Sequence, residues 1–445
     1  MVEGTSLLRT APFSRFNKWD VKRFFISQIN SSYPVIYLEE LLIEQTSKLK
    51  LSKFPEEEFG ILGISNEVGM FDAYTEKGKN INQPYKIIKN DFIAYNPYRV
   101  NVGSIGIKKD FLKNTYISNA YVVFSTKENL LADYLYMIMQ TTSFNKLIRD
   151  NTTGSVRQTL SFENLIKIAI PVPPLEEQKR IIQKYDDAIA VAEKLEKNAD
   201  EEISSIEKYI HDVTFIPIIN DEIESKLLSF SKFSDLSEKW TITPLMSEIN
   251  QKLAFSKYPL YPVSRCLNCV TRSWKKSTER NDTFQYIEIG GIDIENETIS
   301  SSTVEVKKAP SRATQIVKTG DLIFGLTRPY LKKFAIIDES HNDNVCSSGF
   351  QVIKPSDNYR LEYILEIFKS NICVSQFKEA MTGALYPALN ADQLGSIRIP
   401  FPPLSVQEEI VSHINEIKAN VKSLRKQALD LRTKAKQDFE NTVFN

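Results

Sequence analysis

The chain has 445 residues, and its 56 Lys plus Arg balance 56 Asp plus Glu, so the formal net charge is zero. That balance excludes a protein that grips polyanions through bulk positive charge and leaves room for a local basic groove. With 42% hydrophobic and 11% aromatic residues the chain is expected to fold, and at about 150 residues per domain it has room for roughly three units.

Met1 to Phe25 carry scattered charges and no apolar run, so no signal peptide is expected there. No segment approaches the roughly 18 apolar residues of a membrane span, and four cysteines do not make a disulfide framework. A soluble, cytoplasmic protein is the expectation. In chain order, Phe59 to Ile64 and Tyr121 to Phe124 read as strands beside turn residues, and Leu130 to Ile148 reads as a helix. Ser161 is placed to start a short helix. The prolines of Ile170-Pro171-Val172-Pro173-Pro174-Leu175 then interrupt the chain. A long helix follows, with apolar residues at Ile181, Tyr185, Ala188, Ala192, Leu195, Ala199, Ile203, Ile206 and Ile210. Steps of mostly four and three are a coiled-coil seam; about 36 such residues would span roughly 54 Å.

The second half runs through the same order. Gln285 to Ile289 and Phe350 to Ile353 read as strands and Leu361 to Glu379 as a helix. Asn390 with Gln393 fits a capping box. Ile399-Pro400-Phe401-Pro402-Pro403-Leu404 then precedes a helix whose seam is Ile410, Ile414, Ile417, Val421, Leu424, Ala428, Leu431 and Ala435. The proline blocks lie 229 residues apart (399 − 170), and the same offset pairs Gln178 with Gln407, Thr153-Gly154 with Thr382-Gly383, and Arg99 with Arg328. Asp91-Phe92-Ile93 opposes Asp321-Leu322-Ile323 at 230, and Lys18-Trp19 resembles Lys239-Trp240 at 221. Ordered blocks at nearly one offset identify a duplicated unit. Between the blocks the copies differ, as in Ser65 to Gln83 against Asp293 to Pro310.

Pro-Pro-Leu, then Gln and a long heptad helix, twice, each behind a domain ending in Thr-Gly and a later Leu, resembles the specificity subunit of type I restriction-modification enzymes. The resemblance implies an α+β fold: two similar target-recognition domains separated by two long helices packed as an antiparallel coiled coil, a pseudo-twofold internal repeat. The corresponding boundaries are residues 1–174 for the first target-recognition domain, 175–215 for the first spacer helix, 216–234 for a linker, 235–403 for the second domain and 404–445 for the second helix. It implies that each domain reads one half of a bipartite site in double-stranded DNA. It also implies that the helices dock two modification subunits, which carry adenine methylation, and that restriction subunits join them. S-adenosylmethionine, ATP and magnesium would then sit on the partner subunits, and this chain would be non-catalytic, with no cofactor and no membrane contact. One departure is Glu176-Glu177 where the second copy has Ser405-Val406, which removes acidic charge near the second helix start.

DNA reading needs Lys or Arg at phosphates and a few forked or aromatic groups at base edges. Arg99 and Arg328 stand at matched positions in loops after a strand, the latter followed by Tyr330. In the Thr-Gly loops, Arg157-Gln158 stands where the other copy has Tyr386-Pro387. Arg favours guanine and Gln adenine through bidentate bonds, so divergence in a fixed frame suits two target sequences. Basic runs come third: Arg272, Lys275, Lys276 and Arg280 around Trp274, then Lys332-Lys333 and Lys108-Lys109, with Lys77, Lys79 and Asn82 as a weaker set. Such runs are usually solvated surface, and in a DNA module they suit phosphates.

No phosphate loop and no HExxH helix occurs in the sequence. Asn96-Pro97-Tyr98 lacks one proline of the Asn-Pro-Pro-Tyr of adenine methyltransferases and reads as a turn. Cys266 and Cys269 form a lone CxxC, short of the four ligands of a structural zinc, and His211, His341 and His413 are scattered. Two competing classes remain at this stage. One is a combined nuclease-methyltransferase system in which this chain supplies catalysis, and the other is a pure coiled-coil assembly scaffold.

Overall fold

The computed structural model describes residues 29, 31–98, 103–151, 159–219, 248–381 and 387–444. The chain divides into two compact units, Met1–Glu196 with Lys426–Asn445, and Lys197–Arg425. The two long helices run Leu175–Thr214 and Leu404–Phe444, so the division falls inside both helices rather than at their ends.

In the first unit a four-stranded antiparallel sheet has the order Leu42–Glu44, Val122–Thr126, Ile93–Tyr95, Ile105–Ile107. In the second the same order is Cys269–Val270, Phe350–Ile353, Leu322–Gly325, Phe334–Ile336. The other large sheet also repeats. Gly69–Lys77, Glu58–Ser65, Tyr116–Ser118 and Tyr85–Ile87 lie side by side, with a parallel pairing only between Glu58–Ser65 and Tyr116–Ser118. Ser302–Glu305, Thr283–Ile287, Val345–Ser347 and Ala313–Ile316 follow the same plan, again with one parallel pair. The fifth strand of the first unit, Lys48–Leu49, shrinks in the second to one bridge between Ser273 and Gln315. The fold is therefore α+β with an internal repeat.

Two single helices expected from the sequence are each broken in two: Ala132–Met139 with Thr142–Asn151, and Leu361–Lys369 with Asn371–Ala380. The joints are Thr141 and Ser370, 229 residues apart. Each hydroxyl bonds a carbonyl of the preceding turn, Ile138 or Ile367, at 2.7 Å, and Thr141 Oγ1 accepts the Phe144 N–H at 3.1 Å. Hydroxyl side chains compete with the helix ladder in this way. The strand expected through Ile289 ends at Ile287, and a 3-10 turn runs Ile289–Gly291.

The helix starts behave as their caps dictate. Asn390 and Gln393 form a reciprocal capping box, and Ser161 accepts the Asn164 N–H. Asn390→Ala is expected to cost about 1 kcal/mol and Asn390→Gly a few tenths, measured as faster amide exchange across Ala391–Ser396.

Each unit packs a stretch of one long helix against a stretch of the other, running antiparallel. In the first, Ile181 and Ala192 are buried with Ala428, Ala435 and Phe439, and Arg432 forks onto Glu196 at 2.8 and 3.0 Å. In the second, Ala199, Ile206 and Ile210 are buried with Ile410, Ile414 and Val421, and Asn420 bonds Glu202 at 2.7 Å. Ile203, expected in the seam, is 37% exposed, because the helix face drifts past it toward Ile206. Among the described residues no helix is long and apolar enough to cross a membrane.

Candidate nucleic-acid interface

Of the two matched arginines, Arg328 is described, and it belongs to a hairpin tip. In the second unit the strands Leu322–Gly325 and Phe334–Ile336 hold between them Arg328, Tyr330, Lys332 and Lys333. Pro329–Leu331 forms a short 3-10 turn, and the residues flanking it, Arg328 (φ 48°) and Lys332 (φ 54°), are left-handed. That conformation costs a non-glycine residue on the order of 1–3 kcal/mol, so the fold holds this tip against local preference. Arg328 is exposed, Tyr330 packs on the core, and Lys333 Nζ donates to the Ile292 carbonyl at 2.5 Å.

The structure brings this tip to the Thr-Gly side of the same unit. Arg328 N–H donates to Pro387 O at 2.9 Å, and Leu389 N–H donates to Leu326 O at 3.0 Å. The first unit repeats the tie, with Leu160 N–H donating to Pro97 O at 3.0 Å, and both partners of that bond are shifted by 229. Two features predicted separately thus converge in each copy. Arg99, Arg157, Gln158 and Tyr386 themselves lie outside the described residues. Asn96 Oδ1 accepts the Tyr98 N–H at 3.0 Å, a side-chain-closed turn, and Tyr98 is 61% exposed.

Beside Gly103 in the first unit stands a turn that the basic and Thr-Gly patterns do not mark. The hairpin of Glu58–Ser65 and Gly69–Lys77 turns at Asn66-Glu67-Val68, and a side chain at Gly103 would meet Asn66 at 3.8 Å. Val68 at that turn is 68% exposed. Gly106 permits the approach, since a side chain there would meet Met70 at 2.7 Å. The signal was present in the sequence: this turn falls where the copies diverge, from Ser65 onward.

The basic runs divide sharply. Lys108 is buried and its ammonium donates to Leu112 O at 2.7 Å, so it is withdrawn as a DNA contact. Lys109 bonds Asp91 at 2.9 Å and Asp133 at 2.7 Å, at the base of its hairpin rather than the tip. Arg272 is paired with the fully buried Asp321, which raises the guanidinium pKa through that bond. It too serves the fold. Trp274 is a core residue, 7% exposed and 4.6 Å from the Phe284 ring, with its indole N–H on Glu279. Lys275, Lys276 and Arg280 are exposed on that sheet edge, with Lys276 Nζ on the Lys307 carbonyl at 2.5 Å. Lys77 and Lys79 face Glu56 at 3.6 and 3.4 Å, and Asn82 is exposed.

The cysteines carry no comparable convergence. Cys266 Sγ donates to Pro262 O at 3.4 Å, and burial pushes its thiol up to about 12, far from the thiolate that binds metal. Among the described residues no group of three or more His, Cys, Asp or Glu is placed to hold a metal ion.

Residues 59–205 and 267–430 match the family described as Type I restriction modification DNA specificity domain. The chain is 22% identical over 339 residues to the type I restriction enzyme EcoDI specificity subunit of Escherichia coli, covering 73% of this chain and 71% of that one. It is 21% identical over 353 residues to the MjaVIII specificity subunit of Methanocaldococcus jannaschii, covering 77% and 76%. A solved chain described under "Structural basis underlying complex assembly and conformational transition of the type I R-M system" superposes with a TM-score of 0.58 at 13% identity, over 93% of this chain and 97% of its own, a likeness of fold. With both copies of the repeat matched, the chain belongs to the type I restriction-modification specificity-subunit family.

Proposed function

We propose that this chain is the sequence-reading subunit of a type I restriction-modification complex, each unit reading one half of a bipartite site in double-stranded DNA. The observation that supports it most is the matched backbone bond in both copies, Leu160 to Pro97 and Leu389 to Leu326, which ties the strand end leading to each matched arginine to the residues that follow each Thr-Gly segment. Twin sites of one construction and different sequence suit a reader of two different short words. The long helices would dock two modification subunits, and restriction subunits would complete the complex. S-adenosylmethionine, ATP and magnesium would be bound by those partners, and this chain would contribute no catalytic group. The assembly would act in the cytoplasm. The DNA contacts proposed are Arg99, Arg157, Gln158, Lys275, Lys276, Arg280, Arg328, Tyr330, Lys332 and Tyr386, with Lys109 and Lys333 held partly by their protein partners.

The test is the methylated motif in DNA from cells expressing this chain with its neighbouring subunits. Two short defined blocks separated by an undefined spacer are expected, and exchange of residues 15–160 for those of another family member should rewrite one block only. A continuous motif, a rewrite of both blocks, or methyl transfer by the purified chain alone would overturn the reading.

Arg328→Ala keeps the backbone strain and removes the guanidinium. Cognate affinity should fall by about 1–3 kcal/mol if a base is contacted, or the salt slope by about one if a phosphate is. Unchanged binding and unchanged slope in a mobility-shift titration would remove Arg328 from the interface.

A further inference from the structure

Between their first two strands of the larger sheet the copies differ most. The first unit has only residues 66–68 there; the second has residues 288–301, which fold into a small hairpin of Ile292–Asp293 and Thr298–Ile299. Its turn is closed by Asp293, which accepts the Glu295 and Asn296 N–H groups at 3.0 and 3.1 Å, and by Glu297 in the left-handed region at φ 53°.

That strained residue is held by charge. Glu297 Oε1 accepts from Lys418 Nζ at 2.5 Å and from Lys369 Nζ at 2.7 Å, and Glu366 Oε1 accepts from Lys418 at 2.8 Å. Two cations and two anions balance. The side chains of Glu366, Lys369 and Lys418 are only 10%, 15% and 22% exposed, with Glu297 closing the group from the solvent side at 44%. Burial alone would raise the Glu297 carboxyl, but the two ammonium groups outweigh it and hold it below the usual range. Lys418 belongs to the second long helix, in the stretch that lies within this unit.

The other end of the small hairpin reaches the arginine tip. Ile292 is 1% exposed, packed with Ile323 and Ala335 of the two strands that carry the tip, and its carbonyl holds the Lys333 ammonium. A continuous run of contacts therefore joins helix residue Lys418 to the loop bearing Arg328. We propose that the Glu297–Lys418 contact is a positioning latch, fixing the arginine tip of the second unit against its own stretch of helix and so setting how strictly that half-site is read. The first unit has only its three-residue turn at this place. The proposal rests on the DNA-reading function above, and it makes Lys418 and Glu297 positioning residues that touch no DNA.

The test uses the complete complex, with the methylated motif as readout. Lys418→Met and Glu297→Gln each remove one charge and keep the side-chain volume, and the exposed position of Glu297 guards against loss of the fold. Methylation at sites with one mismatch in the second half, relative to cognate sites, is expected to rise roughly two- to thirtyfold. The first half should stay as strict as before. The conservative Lys418→Arg, which keeps a cation facing both Glu297 and Glu366, should leave the strictness of the second half close to that of the wild type. Equal relaxation of both halves, an unchanged motif, or a change in melting temperature without a change in motif would overturn the latch. A wild-type complex lacking any two-part motif would overturn the underlying reading first, and the latch with it.

Discussion

Phe324→Ala is expected to destabilise the second unit by about 3–5 kcal/mol, the usual cost of deleting a fully packed aromatic ring. Phe324 has no exposed surface and stacks on Phe334 at 4.2 Å with an interplanar angle of 10°, while the rings of Phe368 and Phe377 meet it edge-on at 5.1 and 5.2 Å. The four rings join the two strands of the arginine hairpin to both halves of the broken helix, so their loss loosens the support of the tip directly. Amide exchange in Leu322–Gly325 and Phe334–Ile336 should quicken on the order of a hundredfold or more, and under the proposed function second-half-site recognition should be lost before the first. An effect below about 1 kcal/mol, or equal loosening of Ile93–Tyr95, would contradict this packing account.

What the sequence made legible is what the duplication wrote twice. The proline blocks, the caps at Ser161 and Asn390 and most of the helix seam are local patterns, and comparison of the copies separates them from chance. Long-range partners left no such trace. The second helix of each broken pair is capped from far along the chain: Glu440 accepts the Ser143 N–H at 2.7 Å, and Glu207 accepts the Asn371 N–H at 2.7 Å. Ser143 and Asn371 follow the 229 offset to within a residue, but Glu207 and Glu440 are 233 apart. So are the buried pairs Ile206 with Phe439 and Ile210 with Val443. The ends of the long helices thus repeat in a different register from the domains, because each helix end serves a copy other than the one that precedes it. A single offset hides that exchange.

The site was legible as loops and not as charges. The exposed loop position of Arg328 was legible because its place in the repeat and after a strand are sequence properties. Lys108 and Arg272 were misread because neutralisation is a property of the fold: a lysine is available to a phosphate only if no carbonyl or carboxylate has claimed it. The claimants, Leu112 O and Asp321, stand 4 and 49 residues away, and the more distant is invisible to any local reading. Asp321 itself was noticed as part of a repeated block, and its counterpart Asp91 holds Lys109 instead. The carboxylate position is retained, and a different basic neighbour answers it in each copy.

Gln178→Glu should destabilise the first unit in a pH-dependent manner, by about 3 kcal/mol near neutrality. Gln178 is fully buried. Its oxygen accepts the Leu131 N–H at 2.9 Å, and its nitrogen donates to Asn129 O at 3.0 Å and Pro173 O at 2.8 Å. Those bonds lock the start of the long helix to the start of the broken helix pair, which is the physical reason a glutamine follows Pro-Pro-Leu in both copies. A carboxylate keeps the first bond and turns two carbonyl acceptors into repelling neighbours, so the folded state favours the protonated acid and raises its pKa above the unfolded value of about 4.3. The pH-dependent part of the penalty is then absent below that pH, leaving only the cost of the one carbonyl a single O–H cannot serve, and it grows as pH rises toward the folded-state value, opposite in sign to a paired surface carboxylate. Gln407 makes two such bonds, to the Arg360 N–H and Pro402 O, both at 2.9 Å, so Gln407→Glu should show the same slope with a smaller amplitude. Urea titrations between pH 4 and pH 8 measure both; a flat profile, or a larger penalty at Gln407, would mean that the glutamine is held by packing rather than by its amide bonds.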